Sequence, residues 1–214
     1  MPSSDDRRGG GEAESIMEMI RYMRATHPIS GGRTYITGVS AGGAMAADLL
    51  ADYPDVFAGG AVDSGPPAQC ATTVAAALGC ALGTVRYSPA QWGALARAAD
   101  PGYTGPYPKV AIWQGTADPV VNVANAADGM EQWTNLWGIG QIPSGTQALT
   151  GGTAETSYDG PGGTPVVETY LIAGMGHALA VNPGPAPSQC GQAGPLFADR
   201  ICSAYYTAQF WGLP

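Results

Sequence analysis

The most constraining feature of the chain is a serine flanked by glycines where a predicted strand meets a predicted helix. Residues 34–37 are β-prone, and the G-x-S-x-G sequence of residues 38–42 follows them at once, with Ser40 at its centre. The alanine- and leucine-rich residues 44–52 then predict a helix, which Pro54 closes. Such a strand–turn–helix unit presents a serine hydroxyl at the carboxyl edge of a sheet.

The flanking elements, not the motif itself, carry this prediction. Because glycine accounts for 32 of the 214 residues and serine for 11, roughly a quarter of one such motif is expected by chance. In the predicted unit, side chains at the two motif glycines would collide with the neighbouring strand or helix. The start of the helix would direct amide groups and the positive end of its dipole at Ser40, which favours an oxyanion there.

Further strand and helix patterns alternate along the chain. Apolar residues at helical spacing or helix-forming composition predict helices, and β-prone runs predict strands; the helices cover residues 12–26, 91–99, 122–137 and 199–211, and the strands cover 57–62, 110–113 and 166–172. Residues 65–108 are otherwise irregular, and residues 138–164 predict a loop or a loose hairpin.

This alternation predicts an α/β fold with a mostly parallel sheet and helices on both faces. No repeat and no shift in composition divides the chain, so we expect one domain over residues 1–214. The polar, glycine-rich residues 1–11 are expected to be flexible. They contain no apolar leader, so either a leader has been removed or the chain begins inside a longer precursor.

Charge narrows the classes of partner. The formal net charge of -8 argues against nucleic acid and against an anionic membrane surface. No apolar run reaches 18 residues, so no membrane span is predicted. With two histidines and no C-x-x-C spacing, a zinc cluster is not expected either.

The four cysteines fall into two pairs that are close in sequence, Cys70 with Cys80 and Cys190 with Cys202. An even cysteine count, few lysines and many glycines favour two disulfides in an exported protein over four buried thiols. Three connectivities remain open on arithmetic alone.

A serine hydroxyl becomes a nucleophile only when a base takes its proton, and the chain offers two histidines. His27 precedes the strand that leads to Ser40, which places it near the opposite end of the sheet. His177 follows the strand predicted over residues 166–172, and the carboxyl ends of parallel strands share one edge. We therefore predict His177 as the base.

The base needs a carboxylate to fix its tautomer and to stabilise its protonated form. Asp118 follows the strand predicted over residues 110–113, whereas Asp63 ends the strand over residues 57–62. Asp118 is favoured because it lies closer in chain order to His177, and Asp63 remains the competitor. The order Ser40, Asp118, His177 is that of α/β-hydrolases.

Several stretches of the chain resemble the extracellular poly(3-hydroxybutyrate) depolymerase family and the related feruloyl and acetylxylan esterases. The matching segments are residues 8–12 (RGGGE), 33–47 (RTYITGVSAGGAMAA), 53–58 (YPDVFA), 112–118 (IWQGTAD), 132–134 (QWT), 174–177 (GMGH) and 210–213 (FWGL). The resemblance implies an α/β-hydrolase fold that is truncated at its N-terminus, since the family domain carries further strands before this point.

The same resemblance implies a secreted ester hydrolase, made as a bacterial-type exported precursor, that works through an acyl-enzyme without a metal or organic cofactor. It implies Ser40 as nucleophile, Asp118 as acid, His177 as base and the Ala41 amide as one oxyanion donor. The second oxyanion amide would come from the absent N-terminal part. A non-catalytic remnant that binds a polymer or a partner is the alternative from another class.

The substrate is expected to be a polyester, either a polyhydroxyalkanoate or an aromatic polyester such as poly(ethylene terephthalate). A plant cell-wall ester, cleaved by a feruloyl or acetylxylan esterase, is the alternative. Trp113 is the candidate substrate-binding residue, although most tryptophans are expected in the core. With no strand before it, the strand over residues 34–37 would be a sheet edge through which two copies pair as a homodimer.

Overall fold

The computed structural model describes residues 7–29, 32–71 and 73–214 of the chain. Six helices occur in these ranges: α1 (Gly11–Thr26), α2 (Ala41–Asp52), α3 (Val74–Ala81), α4 (Pro89–Arg97), α5 (Ala124–Leu136) and α6 (Ser203–Phe210). Eight strands occur with them: β1 (Tyr35–Val39), β2 (Gly59–Asp63), β3 (Lys109–Gly115), β4 (Gly145–Leu149), β5 (Thr153–Asp159), β6 (Pro165–Ile172), β7 (Leu179–Val181) and β8 (Phe197–Asp199).

Six strands form the central sheet in the order β1-β2-β3-β6-β5-β4. The strands β1, β2, β3 and β6 are parallel, and the antiparallel hairpin of β4 and β5 extends the sheet beyond β6. β7 and β8 form a separate two-stranded parallel sheet. The carboxyl ends of β1, β3 and β6 therefore lie along one edge, which carries the segments that contain Ser40, Asp118 and His177.

Alternate residues of the strands supply two hydrophobic clusters, one on each face of the sheet. Val110 and Ile112 of β3 belong to the larger cluster, together with buried residues of α1, α2, α4 and α5. Ala111 and Trp113 of the same strand belong to the smaller cluster, which includes Phe210 of α6. This period of two is what a strand buried on both faces requires. The predicted α/β architecture, with helices on both faces of a mostly parallel sheet, is confirmed.

The differences from the predicted elements are local. α3 lies within residues 65–108, which are predicted as largely irregular. Of the two predictions for residues 138–164, a loop or a loose hairpin, the structure contains the hairpin, formed by β4 and β5. Pattern alone does not predict β7 and β8, because three residues are too few to show a period.

The segment expected to be flexible divides in two. Residues 1–6 lie outside the described part of the chain. Arg8 is fixed by a bidentate ion pair with Asp55, at 2.7 and 3.1 Å, and the Gly9 amide donates to the hydroxyl of Tyr53 at 2.7 Å. These contacts hold Arg8 and Gly9 on the end of α2, and the flexibility of the segment stays a prediction.

The structure joins Cys70 to Cys80 and Cys190 to Cys202, with Cα–Cα separations of 6.1 and 5.4 Å. Of the three possible pairings of the four cysteines, the structure therefore contains the one that joins cysteines close in sequence. None of the helices in the described ranges combines the length and apolar character that crossing a bilayer needs.

Candidate active site

Ser40 lies in a sharp turn between β1 and α2. Its backbone adopts φ 59° and ψ -121°, which is uncommon for a residue with a side chain and requires support from its surroundings. The Ser40 amide donates to the carbonyl of Asp63 at 2.9 Å, and the Ser40 carbonyl accepts from the amide of Ala44 at 3.0 Å. The turn is therefore fixed from the neighbouring strand and from its own helix.

The glycines around Ser40 differ in what they contribute. A Cβ on Gly38 would lie 2.0 Å from the carbonyl oxygen of Gly42, and one on Gly43 would lie 2.9 Å from that of Asp63. A Cβ on Gly42 would meet nothing within 4 Å. The steric expectation is thus confirmed for Gly38 and wrong for Gly42; the second tight position is Gly43, outside the motif.

Asp118 and His177 form a hydrogen-bonded pair. Oδ2 of Asp118 lies 2.8 Å from Nδ1 of His177, and the Asp118 side chain is fully buried. Oδ1 accepts from the amides of Val120 and Val121 at 2.8 and 2.9 Å, and Oδ2 also accepts from Nε2 of Gln114 at 3.1 Å. With these donors, the carboxylate is held in one orientation towards the imidazole.

The charge of Asp118 follows from the same contacts. Burial by itself would raise the pKa of Asp118, but the hydrogen bonds from His177 and from the amides of Val121 and Val120 outweigh it, so the pKa lies below its ordinary value. Asp118 is therefore a carboxylate at neutral pH. Sequence patterns do not single out Gln114 as a partner, because a glutamine inside a buried strand has no characteristic spacing to the residue it contacts.

Asp63 does not take this role. Its side chain is 3% exposed and accepts from the hydroxyl of Thr37 at 3.1 Å, across the β1–β2 pair. Burial raises the pKa of Asp63 to about 7, and the one hydrogen bond from Thr37 offsets this only in part. The structure thus brings Asp118, and not Asp63, to His177.

His27 caps the C-terminus of α1 and is exposed, with Nδ1 2.8 Å from the hydroxyl of Thr26.

Trp113 lies in the core. It is 2% exposed, stacks on Tyr170 with ring centroids 3.8 Å apart, and donates from Nε1 to the hydroxyl of Thr207 at 2.9 Å. The prediction of Trp113 as a substrate-binding residue is therefore wrong, because its ring faces α6 and has no surface free for a ligand. Trp92 and Trp133 are buried as well.

A cavity of about 260 Å³ opens beside Ser40. Its walls come from α2, the segment after β2, α3 and the loop after Asp118, and they are formed by Ser40, Ala41, Ala44, Met45, Asp48, Pro66, Pro67, Cys70, Ala71, Ala77, Ala81, Val120 and Val121. Ser40 and the loop that holds Asp118 thus border one space. In the described part of the chain, no hydrogen bond joins the Ser40 hydroxyl to His177.

Two further features bear on the chemistry. Ala41 is the first residue of α2, and the first amides of a helix have no acceptor within it, so the Ala41 N–H is available beside Ser40. Across residues 7–29, 32–71 and 73–214, no three His, Cys, Asp or Glu side chains are grouped so that they could hold a metal ion.

A parallel sheet that carries a serine turn after its first strand, an aspartate after the third and a histidine after the fourth parallel strand has the α/β-hydrolase fold. Residues 3–157 match the family model described as Esterase PHB depolymerase, and the chain belongs to that family. The acetyl xylan esterase from Aspergillus awamori shares the fold, with a TM-score of 0.80 at 21% identity over 99% of this chain and 71% of that one.

Two curated relatives illustrate the range of the family. The poly(3-hydroxyalkanoate) depolymerase C of Paucimonas lemoignei is 46% identical over 98% of this chain and 50% of its own length. The feruloyl esterase B of Talaromyces funiculosus is 34% identical over 79% of this chain and 49% of its own length. The chain therefore spans about half the length of these relatives.

Proposed function

We propose that the chain is a serine carboxylic-ester hydrolase that acts through an acyl-enzyme. The observation that carries the proposal is the 2.8 Å hydrogen bond between Asp118 and His177 at the sheet edge where Ser40 occupies its left-handed turn. A serine, an aspartate and a histidine, in this order after parallel strands, are the groups that nucleophilic acyl transfer needs.

In the proposed reaction, His177 takes the proton of the Ser40 hydroxyl while Oγ attacks the ester carbonyl. The negative charge that develops on the carbonyl oxygen is stabilised by the Ala41 amide and the N-terminal end of α2. His177 then returns the proton to the departing alcohol, which leaves an acyl group on Ser40. Water attacks this ester with the same histidine as base, and the acid and the free serine are released. Asp118, which keeps its negative charge, stabilises the protonated imidazole.

Labelling by a fluorophosphonate tests the proposal, because the reagent forms a covalent bond with an activated serine. We expect stoichiometric labelling of Ser40 and a loss of p-nitrophenyl acetate hydrolysis on the order of 10³-fold or more in Ser40→Ala. Ser64→Ala is the matched control, since Ser64 also has a positive φ of 46° after a parallel strand, with a buried hydroxyl. A folded chain with unlabelled Ser40 would support the non-catalytic remnant instead.

A polyester is the substrate that we propose. The relative at 46% identity bears the name of a polyhydroxyalkanoate depolymerase. Large apolar side chains are exposed at the cavity: Val120 is on its rim, and Leu78 follows Ala77 on α3. Leu196 and Phe197 are exposed as well, on the segment whose backbone pairs with Leu179, two residues after His177. Exposed apolar side chains near a reactive centre suit contact with an uncharged solid.

Product release from three substrates separates the substrate classes. We expect release from poly(3-hydroxybutyrate) and assay poly(ethylene terephthalate) beside it as the aromatic polyester. Methyl ferulate tests the alternative suggested by the feruloyl esterase relative at 34% identity. Activity on methyl ferulate alone would contradict the polyester proposal.

The two disulfides support a further part of the proposal, that the protein is exported to an oxidising compartment from a bacterial-type precursor. Detection of the chain in the medium of a bacterial host that expresses the complete precursor tests this. Retention of the protein in the cytosol with free thiols would contradict it.

We also propose a homodimer through β1. Among the described residues β1 pairs with β2 on one side only, so its other edge presents unpaired backbone groups. A groove lined by Met19, Met23 and Ile29 runs beside this edge, and all three side chains are exposed. Sedimentation should give twice the chain mass, and Met19→Glu with Met23→Glu should give the monomer. A monomeric parent would exclude the pairing.

A further inference from the structure

α3 forms one wall of the cavity beside Ser40, through Ala77 and Ala81. We infer that α3 limits the length of the aliphatic unit that binds beside Ser40, with Ala77 and Ala81 as the size-determining residues. The inference rests on the proposed ester hydrolysis and adds to it a chemical class of substrate and the residues that select it.

The cavity is built for an aliphatic group. Its walls present methyl and methylene groups of alanine, valine, proline and methionine, and no aromatic ring or cationic side chain is among the described residues that line it. A planar aromatic acyl group would thus find no ring to stack on, whereas an alkyl chain gains free energy from burial alone.

Among the described side chains that line the cavity, Asp48 is the charged one. Its Oδ1 accepts from the amide of Gln69 at 2.6 Å, which fixes it at the end of the cavity on α2. The rest of the described lining is uncharged, so the cavity fits an uncharged aliphatic group.

α3 is held in place from one end. Of its side chains that the structure describes, Cys80 is the buried one, and its disulfide partner Cys70 itself lines the cavity. The carbonyl of Ala81 accepts from the amide of Asn122 at 2.8 Å and from Nδ2 of Asn125 at 3.1 Å. These contacts fix the C-terminal end of α3 against the loop that follows Asp118, and with it the distance between Ala81 and Ser40 across the cavity.

Ala77 offers the cleaner substitution of the two. It lines the cavity but is itself exposed, so a larger side chain there occupies ligand space without entering the core. Ala75 is exposed on the same helix and does not line the cavity, which makes Ala75→Phe a matched control for Ala77→Phe. Both variants carry the same change in volume and in helix propensity.

The experiment compares kcat/KM for p-nitrophenyl acetate and p-nitrophenyl octanoate. In Ala77→Phe we expect the value for octanoate to fall about 10-fold or more relative to the value for acetate, because several methylenes lose their burial. Ala75→Phe should change neither. An equal fall for both esters in Ala77→Phe, or no fall for octanoate, would overturn the inference.

Binding separates this outcome from the proposed function. In the Ser40→Ala background, calorimetric titration with p-nitrophenyl octanoate measures the cavity without turnover. Added Ala77→Phe should weaken binding about 10-fold, and added Ala75→Phe should leave it unchanged. If the parent hydrolyses no ester but binds octanoate in this Ala77-dependent way, the proposed hydrolysis is contradicted and the inference about the cavity stands. If the parent hydrolyses both esters and Ala77→Phe does not change their ratio, the proposed hydrolysis stands and the inference about the cavity is contradicted.

Discussion

Two walls of one cavity are held in very different ways. On one side, the turn at Ser40 is fixed by hydrogen bonds from β2 and α2, and neither Gly38 nor Gly43 has space for a single added carbon. On the other side, α3 buries Cys80 and is fixed by one disulfide and by the contacts to the carbonyl of Ala81. The atoms proposed to react lie on the first wall, and the atoms proposed to select substrate lie on the second.

This difference separates two physical demands. Attack on a carbonyl requires atoms placed within a fraction of an ångström, so the reactive serine belongs where the surroundings leave one conformation. Selection of an alkyl chain requires only that a space be bounded, and a segment with few buried contacts does this at low local stability. Substitutions on the first wall should therefore affect folding, and those on the second should affect selectivity.

Gly38→Ala is expected to have the largest effect. The new methyl group would lie 2.0 Å from the carbonyl oxygen of Gly42, which is backbone and cannot turn away. β1 and the first turn of α2 would have to separate, at a cost of at least about 3 kcal/mol in the free energy of unfolding. Urea unfolding followed by circular dichroism measures this. A Gly38→Ala protein of parental stability would show that the turn at Ser40 tolerates an added carbon at this position.

Asp63→Asn tests the charge beneath the same wall. Burial raises the pKa of Asp63 to about 7, above the ordinary value of 3.8, so the folded state binds the proton more tightly than the unfolded state. The stability of the parent should then decrease as the pH rises from about 4 to about 7, by up to about 4 kcal/mol from this group. Asparagine keeps the acceptor for Thr37 and carries no charge, so the variant should lose this component.

The measurement for Asp63→Asn is urea unfolding of both proteins at pH 5 and pH 8. Burial also raises the pKa of Glu168 to about 7, but Glu168 is present in both proteins, and the difference between them isolates Asp63. The variant should gain stability relative to the parent at pH 8. An equal pH dependence in the two proteins would show that Asp63 is not buried as an uncompensated charge.

The two disulfides test the second wall against a matched segment. They close loops of similar length, with sequence separations of 10 and 12 residues, so Cys70→Ser with Cys80→Ser and Cys190→Ser with Cys202→Ser should each cost about 2–3 kcal/mol. Only the first pair anchors α3. We expect it alone to raise the octanoate-to-acetate ratio of kcat/KM, by about 3-fold or more. A similar ratio change in both double variants would contradict a special role for α3.

The sequence predicts the wall that carries Ser40 well and the wall formed by α3 poorly. The βα turn, the sheet and the edge that carries Ser40, Asp118 and His177 follow from residue patterns, because buried strands and helices impose periods of 2 and 3.6 residues. α3 escapes this reasoning, since its sequence, VAAALGCA, consists of small and apolar residues on every face and therefore shows no apolar stripe. Its Thr73 cap, which accepts from the amide of Ala76 at 3.1 Å, is a start signal that the composition of the segment obscures.

Two aspartates show what sequence patterns leave undecided. Asp63 and Asp118 both end up near the carboxyl edge, and pattern alone leaves Asp63 as a competitor. The structure separates them because Asp63 is still within β2, where the pleat turns its side chain to Thr37, whereas Asp118 lies in a loop whose backbone is free to face His177. Trp113 is wrongly predicted as a substrate-binding residue for a related reason: both faces of β3 are covered, so neither orientation of its ring reaches the cavity.

Gly42→Ala should have the smallest effect of these substitutions, and it contrasts with Gly38→Ala in the same motif. Gly42 is in the first turn of α2, its backbone lies outside the left-handed region, and an added Cβ would meet nothing within 4 Å. Alanine restricts the unfolded chain and favours the helix, so the free energy of unfolding should rise by about 0.5–1 kcal/mol. Urea unfolding, with Gly38→Ala as the contrasting variant, measures this.

Hydrolysis of p-nitrophenyl acetate by Gly42→Ala then separates two uses of a glycine. If activity stays within about 2-fold of the parent, Gly42 serves neither the fold nor the reaction, and Gly38 alone of the two motif glycines is required. If activity falls while stability rises, the open space above Gly42 is where the ester lies during attack, beside the amide of the exposed residue Ala41. In that case the two glycines of one motif divide as the two walls do: Gly38 keeps the turn in place and Gly42 leaves room for the substrate.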